Sequence, residues 1–164
     1  MCTGPIQVIY PETTHMIKEA DASILPFLSD DPVRPNIPHH IRLADKNKVF
    51  CYYESEEDTQ PKAIVCTAFR DYVPTDENDI LETKESEKGT ILTLYTIWSY
   101  AAGTGRKLVF ELMDHVKNSF TEIERIVTLS PKTEMARKFH TNNGAVQIQE
   151  NDTTINYEYT INKK

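Results

Sequence analysis

The stretch Tyr100-Ala101-Ala102-Gly103-Thr104-Gly105-Arg106 places two of the chain's five glycines one residue apart. It follows an apolar, β-branched run and precedes a helical pattern, so it should open a helix. The first turn of a helix leaves backbone N–H groups without partners and carries the positive end of the dipole. Small residues let an anion reach those groups, and Arg106 adds a charge beside them. A diphosphate would satisfy all of this. A tight turn with close helix packing is the competing account of the same glycines. The P-loop pattern is absent, because Leu108 occupies the Ser/Thr region. The dinucleotide fingerprint fails for want of a third small residue.

Other reactive side chains are scattered. His39 and His40 are adjacent, so they point different ways on a helix or a strand, and no third ligand clusters with them; no metal site is expected. Cys51 and Cys66 fall on expected paired strands and read as buried thiols, with no base partner to activate them. Glu54, Asp71 and Glu82 lie at strand ends or in an adjoining loop. Each could act as a general base there, and each also reads as a solvated surface charge.

The elements that must position these residues follow from periodicity. A first strand is expected at 7–10 and a helix over 13–28 that Pro26 bends or ends. A proline-rich loop follows, then a short helix over 39–45. Residues 46–55 and 62–71 read as a strand pair joined as a hairpin. The acidic stretch 72–89 reads as a loop, either a substrate rim or a solvated connection. A buried strand at 90–99 leads to the clearest helix, Gly103 to Asn118, with Leu108, Val109, Leu112, Met113 and Val116 on one face. A strand from Ile123 to Leu129 comes next. A helix then runs from an N-cap at Thr133 through Met135–His140 to a stop at Asn142-Asn143-Gly144. Two strands around the turn 150–154 close the chain. Helices first, then β-β, then β-α-β-α-β-β, give a mixed α/β sheet.

The 164 residues, with 39% hydrophobic and 26% charged content, fit one globular domain over 1–164. A net charge of −7 argues against nucleic acid or an anionic membrane as partner. Three cysteines without CxxC spacing, no export signal and no apolar run of membrane-spanning length place the expected location in the cytoplasm.

The segment from Thr90 to Ala145 resembles the GCN5-related N-acetyltransferase (GNAT) superfamily. It carries a strand, then a Gln/Arg-x-x-Gly-x-Gly/Ala-like motif at Tyr100–Gly105, a long amphipathic helix, a further strand, and a second motif at Phe139–Ala145. The resemblance implies a mixed, mostly antiparallel sheet with a central βαβ unit and flanking helices, and acetyl-CoA as co-substrate with no metal. The fourth and fifth strands would splay apart, with backbone groups near Tyr95 and Ile97 lying along the pantetheine arm. The pyrophosphate would rest on the N–H groups from Ala102 to Arg106. By this resemblance Tyr95, Ile97, Tyr100, Ala101, Ala102, Gly103, Thr104, Gly105, Arg106, Thr133 and Phe139 bind the cofactor.

Three positions depart from the family pattern. Tyr100 stands where Gln or Arg is usual, and Thr133 where an Asn often contacts pantetheine. His140 takes the position of a Tyr held to protonate the departing thiolate. An imidazolium there could act as general acid, or the ring could simply pack. The implied function is transfer of an acetyl group, by direct attack in a ternary complex, to a primary amine of a small molecule or protein. The alternative is a non-catalytic acyl-CoA-binding module of the same fold. A monomer or homodimer is expected.

Overall fold

A computed structural model describes residues 16–44, 46–82 and 88–161. The strand expected at 7–10 and the first residues of the expected helix over 13–28 lie outside them. Where that helix was to continue, the chain instead forms strand β1 (Ile17–Glu19), a 3-10 turn at Ala22–Ile24 and one helical turn, α1 (Leu25–Leu28). The physical reason is local. Asp21 accepts a hydrogen bond from the Ser23 amide at 2.9 Å and starts a new turn, and Pro26 sits in the first turn of α1, where a missing N–H costs nothing. The displaced residues find sheet partners instead: Ile17 pairs with Tyr52 and Glu19 with Phe50 on strand β2 (Asn47–Tyr52).

Helix α2 (His39–Arg42) precedes β2, and β2 forms the expected antiparallel pair with β3 (Ala63–Arg70). The acidic stretch after it is not all loop. It contains helix α3 (Asn78–Leu81), whose Ile80 is completely buried, while 83–87 fall outside the described residues. Strand β4 (Ile91–Ser99), helix α4 (Thr104–Ser119) and strand β5 (Arg125–Thr128) make the βαβ unit. Two-residue β6 (Ser130–Pro131), helix α5 (Glu134–Asn142), β7 (Val146–Glu150) and β8 (Thr154–Tyr159) complete the described chain.

The eight strands form one sheet in the order β1-β2-β3-β4-β5-β8-β6, with β7 on β8. Among the described strands only β4 and β5 run parallel. Both faces are covered. On one, Leu108, Val109, Leu112 and Val116 of α4 pack with Phe50, Val65 and Leu92. Each fully buried side chain of this kind contributes about 1.5–3 kcal/mol. On the other face, Ile24, Leu28 and Ile37 cover Val49, Ile64 and Cys66. Both thiols are buried as expected, and burial pushes Cys51 and Cys66 up to about 12, so neither is a nucleophile.

That second layer holds a feature no sequence pattern announced. Asp31 and Arg42 form an ion pair at 2.7 Å with both side chains fully buried. Asp31 also accepts from the Thr96 hydroxyl at 2.8 Å and from the amides of Val33 and Arg34. Burial pushes its carboxyl up, but these hydrogen bonds outweigh that and hold it below the usual range.

Candidate functional site

The sheet opens at one place. Strands β4 and β5 pair only from Ile91↔Arg125 to Leu94↔Thr128, and beyond that point they separate. The register of β4 against β3 slips here: Thr67 faces Leu94 and Cys66 faces Thr96, which leaves Tyr95 as a bulge residue. Consecutive carbonyls therefore turn to the same side. Leu94 accepts from the Leu129 amide at 2.9 Å, and Tyr95 accepts from Arg34 Nε at 3.0 Å. Past the bulge, the Tyr100 amide donates to Lys62 of the β3 side at 2.7 Å. Alternation along the strand then leaves the N–H and C=O of Ile97 and Ser99 facing the opening.

The gap is a cleft of about 320 Å³, walled by β4, by the segment Leu129–Thr133, by α5 and by Pro32 and Val33. Its lining is mostly apolar; Trp98, Met135 and Phe139 are among the residues that face it.

The start of α4 closes one end. Gly103 is its N-cap with φ +79°, a left-handed conformation that favours glycine, and an added Cβ would meet nothing within 4 Å. Gly105 is buried and lines the cleft; a Cβ there would stand 3.4 Å from the Phe139 ring. Thr104 fixes the turn, its hydroxyl donating to the carbonyls of Lys62 and Ala101. Among the described residues no side chain caps this end, and its first-turn amides, those of Gly105 and Arg106 among them, have no intrahelical acceptor. Gly103 serves the turn, while Gly105 serves close packing and leaves bare backbone at the cleft. The donor set fits a diphosphate.

The sequence matches no protein-family model and no curated protein. Comparison of the fold with solved structures is more informative. Tetrahymena GCN5 aligns at 12% identity with a TM-score of 0.54, over 85% of this chain and 91% of that one. A Bacillus subtilis acetyltransferase in complex with CoA aligns at 6% identity with a TM-score of 0.60, over 89% of this chain and 98% of its own. The chain has the GNAT fold. Malonyl-CoA decarboxylases share it: that of Rhodopseudomonas palustris aligns at 13% identity with a TM-score of 0.67 over 90% of this chain. The chain spans 33% to 60% of the length of the decarboxylases it matches.

Within this GNAT fold, Tyr95, Ile97, Gly105, Thr133, Phe139 and His140 come together around the cleft. Ala101, Ala102, Gly103, Thr104 and Arg106 sit at the helix start that ends it. Thr133 caps α5, accepting from the Ala136 amide at 3.2 Å. The Arg106 guanidinium lies over the Phe110 ring of its own helix, 5.1 Å from the centroid. Tyr100 is placed elsewhere. Its hydroxyl donates to Asp30 at 2.7 Å and accepts from Trp98 Nε1 at 3.0 Å, and its ring is not part of the cleft wall. Burial and the Asp30 carboxylate push that phenol up to about 12.

His140 is 6% exposed, its Nδ1 lying 2.8 Å from the Tyr159 hydroxyl and its ring stacked on Tyr157. Burial pushes the imidazole down to about 4. The imidazolium, one of the two roles the sequence left open, is thus not the resting form at neutral pH. The ring is neutral, and what it offers is an N–H hydrogen bond. The candidate bases lie apart from the cleft. Glu54 pairs with Lys107 at 3.1 Å, Asp71 accepts from the amides of Lys88, Gly89 and Thr90, and Glu82 is exposed at the end of α3. Among the described residues, no Asp or Glu lines the cleft, and no three His, Cys, Asp or Glu side chains converge on a metal-sized site.

The residues sequence reasoning missed are Asp31, Arg34 and Tyr159. Asp31 and Arg34 had read as part of a proline-rich loop, and Tyr159 as a residue of the closing strand.

Proposed function

We propose that this chain binds an acyl-CoA in the β4–β5 cleft and transfers the acyl group to a primary amine. The observation that carries the reading is the conjunction of strand edge and helix start. The splayed edge of β4 presents the free backbone groups of Ile97 and Ser99, and the cleft they face ends on the uncapped first turn of α4. A pantetheine arm would pair along that edge, and its diphosphate would take the amides of Gly105 and Arg106. The Ile97 amide would polarise the thioester carbonyl. The amine nitrogen then attacks the carbonyl carbon, the C–N bond forms, the C–S bond breaks, and the departing thiolate takes up the proton that the nitrogen sheds.

A second reading is favoured by the lining itself. An ammonium substrate must lose a proton before it attacks, and no carboxylate faces the cleft among the described residues. Decarboxylation of a malonyl thioester needs no base. Its C–C bond breaks to release carbon dioxide, and the resulting enolate takes a proton from water at carbon. An uncharged cleft with a hydrogen-bond donor suits that step, and solved malonyl-CoA decarboxylases share the fold.

One set of measurements separates these readings. Thiol release from acetyl-CoA across a panel of small amines and lysine peptides supports transfer. Carbon dioxide release from malonyl-CoA, with acetyl-CoA as product, supports the second reading. Calorimetric binding of CoA without either reaction leaves a non-catalytic acyl-CoA-binding module. No binding of CoA overturns all three.

A further inference from the structure

We propose that Tyr159 is a positioning residue that locks His140 in the tautomer bearing its proton on Nε2, turning that N–H toward the cleft as a donor to the acyl carbonyl oxygen. The inference rests on the acyl-CoA reading only for what the donor acts on; the tautomer is a property of the chain itself.

The geometry is that of a buried, braced ring. Tyr159 closes β8, a strand paired with β5 through Ile126↔Tyr159, and is 2% exposed, so its hydroxyl is held by the sheet. That hydroxyl lies 2.8 Å from His140 Nδ1. Tyr157 stacks on the imidazole at 5.3 Å between centroids, and Phe139 and Tyr159 meet it edge-on. Three aromatic rings thus pack against the imidazole.

One nitrogen is therefore engaged and the other is not. Nδ1 has Tyr159; Nε2 has no partner among the described residues, and His140 is part of the cleft wall. The direction of the Nδ1 bond follows from the chemistry of the pair. Of the two groups the phenol O–H is the stronger donor and a bare imidazole nitrogen the stronger acceptor. The tyrosine O–H therefore points to Nδ1, and the imidazole proton resides on Nε2. A neutral imidazole so fixed stabilises developing negative charge by hydrogen bonding, without itself giving up a proton.

The test begins with nitrogen NMR of the full chain labelled in histidine, at pH 7 and without ligand. The His140 signals should be those of a neutral ring protonated on Nε2 and bare on Nδ1. A proton found on Nδ1 overturns the proposal. In Tyr159→Phe the tautomer preference should be lost, and turnover should fall roughly 10–100-fold, the range for lost orienting partners, with KM for the acyl-CoA unchanged. Unchanged turnover in a folded Tyr159→Phe also overturns it. If that variant does not fold, the tautomer of the unmodified chain decides. If neither acetyl nor malonyl thioesters react, the functional reading fails while the tautomer remains measured on its own.

Discussion

Arg34 Nε lies 3.0 Å from the Tyr95 carbonyl oxygen, and another nitrogen of the same guanidinium donates to the Leu129 carbonyl at 2.8 Å. One planar fork thus bridges the two strands at the point where they part. A splayed sheet exposes carbonyls that have lost their ladder partners, and burying them unpaired is costly. Arg34 satisfies one on each side and sets the root of the cleft.

Replacing it should show this directly. Arg34→Met removes both donors and leaves two buried carbonyls without them, at about 1–3 kcal/mol each. The expected loss of stability is about 3 kcal/mol, read from urea denaturation midpoints. Arg34→Lys cannot form the fork and should recover only part of it. A midpoint unchanged in Arg34→Met would show that the bridge is incidental.

The Asp31–Arg42 pair should be less forgiving still. Asp31→Asn leaves the Arg42 guanidinium in a fully buried position without its counter-charge. Removing one partner of such a pair costs about 3–5 kcal/mol. The variant is expected to unfold at markedly lower denaturant, and an equal fall in Asp31→Asn and in a surface control such as Glu134→Gln would contradict this.

The two glycines at the start of α4 should separate in their effects. Gly103→Ala forces a side chain into the left-handed region and should cost about 1–2 kcal/mol, yet its Cβ meets nothing, so CoA affinity should stay. Gly105→Glu places bulk and negative charge among the amides that would hold the diphosphate. Calorimetry should find CoA binding lost in the second variant alone. Equal affinity in both would sink the cofactor assignment.

His140 makes stability depend on pH. Its folded value is lowered by burial from 6.5 to about 4. Below pH 6.5 the unfolded chain takes up a proton that the folded chain refuses, so stability is fully present above that pH and falls as pH drops toward 4. The shift corresponds to about 3 kcal/mol. Thermal melts from pH 7.5 to 4.5 should slope downward, and the slope should shrink in His140→Gln. A profile identical in both chains would place the titration elsewhere.

Much of the βαβ unit was legible from residue order alone. The stripe Leu108, Val109, Leu112, Val116 shows one face of a helix, and that face is buried as the period demands. Thr133 caps α5 as its type predicts, and Asn143 and Gly144 lie where the helix was to stop. These signals are local: a cap or an amphipathic stripe depends on residues within a turn or two. The expected helix over 13–28 failed partly because Asp21 and Pro26 restart the chain locally and partly for the converse reason. Three residues, Ile17–Glu19, join the sheet because an edge of β2 stands open to them, and nothing within 13–28 records that edge.

The candidate site divides along the same line. Residue types and spacing pointed to bare backbone at Gly103 and Gly105 and to a diphosphate as the matching ligand, and the family resemblance pointed to His140 as the side chain of interest. Tertiary structure decided what those residues can do. It took Tyr100 out of the cleft to Asp30, kept acidic side chains among the described residues away from its lining, and made His140 a neutral ring held by Tyr159. It brought Arg34 to carbonyls 61 and 95 positions further along the chain. Protonation state and hydrogen-bond direction depend on burial and on partners from distant segments, and only the folded chain brings those segments together.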